Sequence, residues 1–434
     1  MTSPTRDPQL PRPPQHPVSQ WCRRSAVWAR SFAVVVVAAT TSACQERTGP
    51  TDPVGPPPPS ELTLAEQQVS GANTGFGLTL LREVLADETE PNVLISPLSA
   101  SMALGMTMNG AVGDTYDAMR ATLGFGALSE AEVNAAYRGL IDHLRGRDSK
   151  VEFGLANSAW YEQSFPVHEA FLHAARDHFD AEVRAIDFLD PESPGVISAW
   201  AEERTGGRIQ DLVTEIDPLE KLFLVNAVYF KAPWSLPFNP DATHPGPFRT
   251  LGGGAVQVPL MTLDGAVRHV SNASFEAVEL MYADSAYSML VVAPAVGREL
   301  EDLDAVLTPS GLDVLVESLE SSRIFLTLPK FTFDYDVRLD PALDRMGMGI
   351  AFVPFLADFT RIADRADLHI TRVGQKAFID VHELGTEAAA ATVVGTGVTS
   401  APPRITFDRP FHFMIRERAS GTILFLGRVG DPSA

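Results

Sequence analysis

An α+β fold built on a largely antiparallel sheet is the architecture this sequence predicts, and three observations predict it. Helix-period apolar patterns crowd the chain after residue 61, strand-like runs dominate beyond residue 222, and a Ser420-Gly421 turn joins the last two runs into a hairpin. Taken in order, Leu78, Leu81 and Leu85 share one helix face, which places a first helix there. Ser96-Pro97 is a helix start, with Pro tolerated at the first helical position, and Met102, Leu104, Met106 and Met108 follow it. Further helices are expected over residues 130–144, 168–178 and 196–205. Strands are expected over residues 222–230, 287–293, 324–328, 377–381, 411–416 and 422–429, where β-branched and aromatic residues cluster between turn signals.

No internal repeat and no second Pro/Gly-rich linker interrupts residues 61–434, so they are expected to form one domain. Apolar residues make up 45% of the 434, enough for a sizeable core. The net charge is −21; residues 1–44 hold five Arg and one acidic residue, leaving 29 basic and 54 acidic groups and a net of −25 for the rest. A body this acidic repels phosphate backbones, which argues against nucleic acid as a partner. Both cysteines, Cys22 and Cys44, fall in the first 44 residues, so the body can hold neither a disulfide framework nor a thiolate metal site.

The first 43 residues have the parts of a secretory signal. Arg23, Arg24 and Arg30 precede a short apolar run from residue 31 to 39, and small residues lead to Cys44. The run is well short of the roughly 20 residues needed to cross a bilayer. Thr41-Ser42-Ala43-Cys44 resembles a bacterial lipobox, departing from it at Thr41, where an aliphatic is usual. The chain is therefore expected to be exported and lipid-anchored through Cys44, with residues 44–60 as an extended Pro-rich tether and no other membrane contact.

Catalytic signatures are missing. There is no G-x-S-x-G elbow, no Walker loop and no G-x-G-x-x-G, and none of the five lysines has Ser three residues before it. His168-Glu169 and His382-Glu383 are followed at the fourth position by Leu172 and Thr386, so neither makes the zinc motif H-E-x-x-H. The ten histidines are scattered. No cofactor, no metal and no enzymatic activity are expected.

The informative stretch is residues 383–403, ELGTEAAAATVVGTGVTSAPP. By local propensity, Thr386 caps a short helix over the alanines. Against that, the small-residue run passes into Thr392, Val393 and Val394, then Gly395-Thr396-Gly397, and lies between two strand-like segments. A segment able to be either mobile loop or strand is what a loop-insertion switch requires.

Glu383, Gly385, Thr386, Glu387, Ala388, Ala389, Ala390, Ala391 and Thr392 together resemble the proximal hinge of the reactive loop in inhibitory serpins. Further blocks fall in the family's order: residues 92–117, residues 223–238, Leu328-Pro329-Lys330-Phe331, Asp408-Arg409-Pro410-Phe411, and Phe425-Leu426-Gly427-Arg428-Val429. The resemblance spans nearly all of residues 65–432. It implies helices around a large central sheet, and a monomeric inhibitor of serine-type, or cysteine-type, endopeptidases. Cleavage of the exposed loop gives a covalent complex, and the cut loop inserts as a new strand before the enzyme can escape.

The same resemblance assigns residues to parts of this device. Side chains alternate along a strand, so Thr386, Ala388, Ala390, Thr392 and Val394 should face inward on insertion, Glu387 outward, and Thr386 should be the first to bury. The family's spacing puts the reactive bond at Thr399–Ser400, with Val398 the neighbouring alternative. Thr or Val there suits an elastase-like or subtilisin-like pocket. Trp234, Lys330 and Glu383 match the breach, where insertion starts, with a Lys330–Glu383 ion pair expected. Ser96, Ser99 and Asn226 match the hydrogen-bonded shutter beneath the sheet; the family's His falls at Gln375, which can still donate and accept. A non-inhibitory serpin acting as a binding or scaffold protein is the alternative reading.

Overall fold

Helix α1 (Leu64–Leu85) is the first element of a computed structural model that describes residues 62–217, 220, 222–386 and 402–434. Thr63 and Glu66 form a reciprocal capping box at its start, and Val69, Phe76, Leu80, Leu81 and Val84 make the buried face. Strand β1 (Val93–Ile95) leads into α2 (Pro97–Met108), which Ser96 caps and which is buried nearly all round. That burial explains its stripe-free sequence of apolar and small residues, in which Ser99, Ser101 and Thr107 are buried as well. Helices α3 (Gly113–Leu123) and α4 (Glu130–Gly146) pack nearby, with the Tyr137 hydroxyl donating to the Ser101 carbonyl at 3.1 Å.

The chain then alternates: β2 (Glu152–Glu162), α5 (Glu169–Phe179), β3 (Ala181–Ile186), α6 (Ser193–Arg204) and β4 (Leu222–Pro233). Strands β5 (His244–Arg249), β6 (Ala255–Ser271), β7 (Phe275–Tyr282) and β8 (Tyr287–Pro294) follow, then α7 (Pro309–Ser318), β9 (Glu320–Pro329) and β10 (Phe331–Arg338). After the one-turn helix α8 (Asp340–Leu343) come β11 (Gly374–His382), β12 (Gly385–Thr386), β13 (Arg404–Thr406), β14 (Phe411–Glu417) and β15 (Ile423–Val429).

The order of helices and strands needs a correction. Strands β2 and β3 are interleaved with α5 and α6, so strands do not wait until residue 222, and α6 starts at Ser193 rather than at residue 196. The predicted hairpin is present: β14 and β15 pair antiparallel, and Gly421 turns between them with φ 73°.

Among the described residues the strands form a nine-stranded sheet, β1-β15-β14-β8-β7-β6-β9-β13 with β5 on β6, and a six-stranded sheet, β10-β11-β12-β4-β2-β3. Pairing is antiparallel apart from β2 with β3 and β13 with β9. Phe331, at the start of β10, packs against Phe411 and Phe413 of β14 with ring centroids 5.9 and 5.5 Å apart, so the core joins the two sheets. No helix of the described residues is long and apolar enough to cross a membrane.

Candidate functional site

Strand β11 alternates buried and half-buried positions, with Gln375, Ala377, Ile379 and Val381 turned inward. After His382 the chain turns through Glu383 and Leu384 and comes back as β12, where Gly385 takes φ 154°, a conformation open to glycine. The returning pair is held on both sides. Gly385 and Thr386 face His382 and Val381 of β11, and Pro233 and Ala232 of β4. Two residues of the segment therefore already form a strand at the head of the six-stranded sheet.

Thr386 is 2% exposed, and its hydroxyl meets that of Tyr282 at 2.6 Å. The expectation that Thr386 buries only on insertion is thus corrected: it is docked here already. Thr386 itself is paired as a strand, and the alanines of the local helix reading lie outside the described residues.

Trp234 organises the turn. Its indole N–H donates to the His382 carbonyl at 2.9 Å, its backbone N–H donates to the Leu384 carbonyl at 2.9 Å, and its ring stacks on Tyr282 at 4.3 Å. The Phe238 N–H donates to the Glu383 carbonyl at 2.9 Å. Lys330 Nζ lies 3.3 Å from Glu383 Oε2, the ion pair expected from the sequence, and the Thr243 hydroxyl donates to Glu383 Oε1 at 2.9 Å. Burial pushes the Glu383 carboxyl upward, but its own backbone N–H, Thr243 and Lys330 outweigh that and hold it below its ordinary value. The structure places Trp234, Lys330 and Glu383 around this one turn.

Ser96, Ser99 and Gln375 also converge. Ser96 N–H donates to Gln375 Oε1 at 2.7 Å, while Gln375 Nε2 donates to the Ser96 carbonyl at 3.0 Å and to Ser99 Oγ at 3.3 Å. One amide thus accepts and donates at a single buried place, as Gln can and an aliphatic cannot. Asn226 lies in β4 opposite Asn157 of β2, and its side chain is outside the described residues.

Glu387, Ala388, Ala389, Ala390, Ala391, Thr392, Val398, Thr399, Ser400 and Cys44 also lie outside the described residues. The far end of the loop is placed, however. β13 runs parallel to β9, and the Arg404 guanidinium sits 4.5 Å from the centroid of the Phe325 ring. Fifteen residues, 387–401, separate the two anchored ends, a span that can reach about 50 Å when extended. Sequence reasoning missed Tyr282 and Thr243, which come from segments with no local mark of a role in the hinge.

Comparison with known proteins decides the family. The model described as Serpin (serine protease inhibitor) matches residues 71–432. The chain belongs to the serpin family. An uncharacterized serpin-like protein of Thermococcus kodakarensis is 34% identical over 376 residues, which cover 85% of this chain and 86% of the relative. Neuroserpin of Gallus gallus is 32% identical over 385 residues, 86% of this chain and 92% of its own. Among solved structures, the thermophilic serpin tengpin in its native state superposes with a TM-score of 0.78 at 28% identity, covering 87% of this chain and 97% of tengpin. Thyroxine-binding globulin in complex with thyroxine gives 0.76 at 28% identity, covering 84% and 99%. The α+β serpin fold and the general family role of protease inhibition follow from these likenesses; a thyroxine carrier shows that a serpin can also bind a small molecule.

Proposed function

We infer that this serpin is an inhibitor of elastase-like or subtilisin-like serine endopeptidases, acting by loop insertion and covalent trapping. One observation carries the reading: Gly385–Thr386 sits as a short strand between β11 and β4, the two strands that an inserting loop would have to part. Inserted as a strand, the residues that follow, Glu387 to Thr392, would put only small uncharged side chains on the inward face. In the trapping step the protease's serine Oγ attacks the Thr399 carbonyl carbon. An ester forms to Thr399, the Thr399–Ser400 bond breaks, and Ser400 leaves as a free amine carrying the proton the serine gave up. Inserting about ten residues at about 0.5–1.5 kcal/mol net per hydrogen bond releases about 5–15 kcal/mol before packing is counted. That release competes with deacylation. A signal peptide over residues 1–43, lipid on Cys44 and a tether to residue 60 would place the domain, residues 61–434, outside the cell on a membrane anchor.

Incubation with pancreatic elastase or subtilisin tests this reading. An SDS-stable covalent complex is expected, with the cut mapped by mass spectrometry to Thr399–Ser400, or to Val398–Thr399 if the register is one residue earlier. Thr399→Arg is then expected to create inhibition of trypsin and weaken that of elastase. Simple cleavage without complex would favour a binding protein, the reading that the likeness to thyroxine-binding globulin supports. The anchor has its own test: the mature N-terminus should be a diacylglyceryl-modified Cys44, and an unmodified chain beginning elsewhere would remove it.

A further inference from the structure

Tyr282 ends strand β7 of the nine-stranded sheet, yet its hydroxyl meets Thr386 of the six-stranded sheet, 104 positions away. The phenol has little freedom. Trp234 stacks on it with planes 15° apart, and Phe230 of β4 meets it edge-on at a centroid distance of 5.0 Å. Its backbone is tied to the same place: Ala283 N–H donates to the Pro233 carbonyl and Ser235 N–H to the Met281 carbonyl, both at 2.8 Å. The short segment Ala232–Trp234 therefore receives β12 on one side and fixes Tyr282 on the other. Burial pushes the phenol well above its ordinary pKa, so it remains a neutral O–H able to donate to, or accept from, the Thr386 hydroxyl.

The place matters because the two faces of the hinge are unlike. With Thr386 docked inward, a strand continued in that register would turn Ala388, Ala390 and Thr392 inward and Glu387 outward. A slip of one residue would turn Glu387 toward the core, where an unpaired carboxylate is strongly disfavoured. We propose that Tyr282 is a positioning residue for loop insertion: its hydroxyl holds Thr386 docked between β11 and β4, so that every insertion starts in one register. The consequence for trapping rests on the inhibitor reading above, but the docking itself does not.

Tyr282→Phe keeps the ring, its stacking on Trp234 and its volume, and removes only the hydroxyl; Thr386→Val removes the other partner at nearly constant shape. In the full chain, hydrogen exchange across residues 382–386 should quicken about threefold to tenfold in Tyr282→Phe, the effect of one buried hydrogen bond, while exchange in β14 and β15 stays as in the parent. With elastase or subtilisin, the same variant should be cleaved at the parent rate but give about threefold to tenfold more cleaved product per covalent complex. Thr386→Val should behave alike. The double variant should be no worse than either single one, because removing both hydroxyls leaves neither unsatisfied. Parent-like exchange and partition in Tyr282→Phe, or strictly additive losses in the double variant, would overturn the proposal. If the parent traps no protease while Tyr282→Phe still loosens residues 382–386, the inhibitor reading fails and the docking role stands.

Discussion

The two ends of β11 are secured by opposite kinds of chemistry. At its start, Gln375 joins Ser96 and Ser99 through neutral hydrogen bonds, in a place where all three residues are 5% exposed or less. At its far end, around Val381 and His382, the fastening is an ion pair, an indole and a stacked phenol, and half of that ion pair reaches water: Lys330 is 42% exposed in its side chain. A neutral buried network changes little with salt or pH and costs heavily when one member is removed. A solvent-screened ion pair is worth little on its own. The strand is thus closed by a sealed neutral network at its start and by a partly solvent-screened one at its far end, the end at which the proposed insertion would begin.

The largest expected effect is at the adjustable end. Thr386→Arg places a charge in a position now filled by a buried hydroxyl, a cost of several kcal/mol without a partner. Each 1.4 kcal/mol on the insertion barrier is about tenfold in rate, so deacylation should win. The variant should be cut at the same bond and release active protease with no covalent complex on a gel. Because Thr386 is docked before any cut, its resting stability should fall as well, which thermal unfolding will show. Glu387→Arg, at a position that strand alternation would turn outward, should trap nearly as the parent does. Equal trapping by Thr386→Arg and the parent would sink the insertion reading.

Next in size is the neutral end. Gln375→Ala removes the acceptor of the Ser96 N–H and one donor each from the Ser96 carbonyl and Ser99 Oγ, and leaving the buried N–H without its acceptor should cost about 1–3 kcal/mol in urea unfolding. Gln375→His sharpens the contrast. A neutral imidazole can accept and donate here, but burial disfavours its charged form and lowers its pKa below that of the unfolded chain. The unfolded state then binds the extra proton, so the variant's stability should hold above about pH 6.5 and fall as pH drops below it. Over that window the parent should lose markedly less; parallel curves would mean that the site is not sealed from protonation.

What the sequence made legible follows the same division. The Lys330–Glu383 pair and the Gln375 contacts were named in advance only because the surrounding blocks resemble a family; spacing alone could not join residues 279 positions apart in the chain. Strand β6 went unread because Pro259 and Gly265 look like breakers. In the fold Pro259 pairs opposite Pro245 of β5, and a side chain at Gly265 would meet Leu236 at 2.5 Å, so both are answers to tertiary neighbours. β2 and β3 went unread because helical patterns on either side drew the assignment. The Tyr282–Thr386 contact has no sequence signal, since both residues are ordinary where they stand and only the meeting of two sheets pairs them.

The smallest expected effect concerns the ion pair itself. Lys330→Met should cost under about 1 kcal/mol, because water and salt already screen the ammonium. Its value lies in the pH profile of the partner. Glu383 is held below the ordinary carboxyl value of 4.5, so the unfolded chain takes up a proton at higher pH than the folded one. The contribution of Glu383 is therefore complete above about pH 4.5 and is lost as pH falls through its folded value. Glu383→Gln keeps an acceptor for Thr243 but has no charge, so it should unfold slightly earlier than the parent at pH 6. The gap between the two should close as pH is lowered below 4.5, when the parent's carboxyl is itself neutralised. Thermal midpoints of both proteins between about pH 3 and 6 measure this directly. A gap that stays constant across the window would mean that the ion pair and the carboxylate's hydrogen bonds add nothing at this end of the strand, and that the stacked ring and the backbone contacts hold it alone.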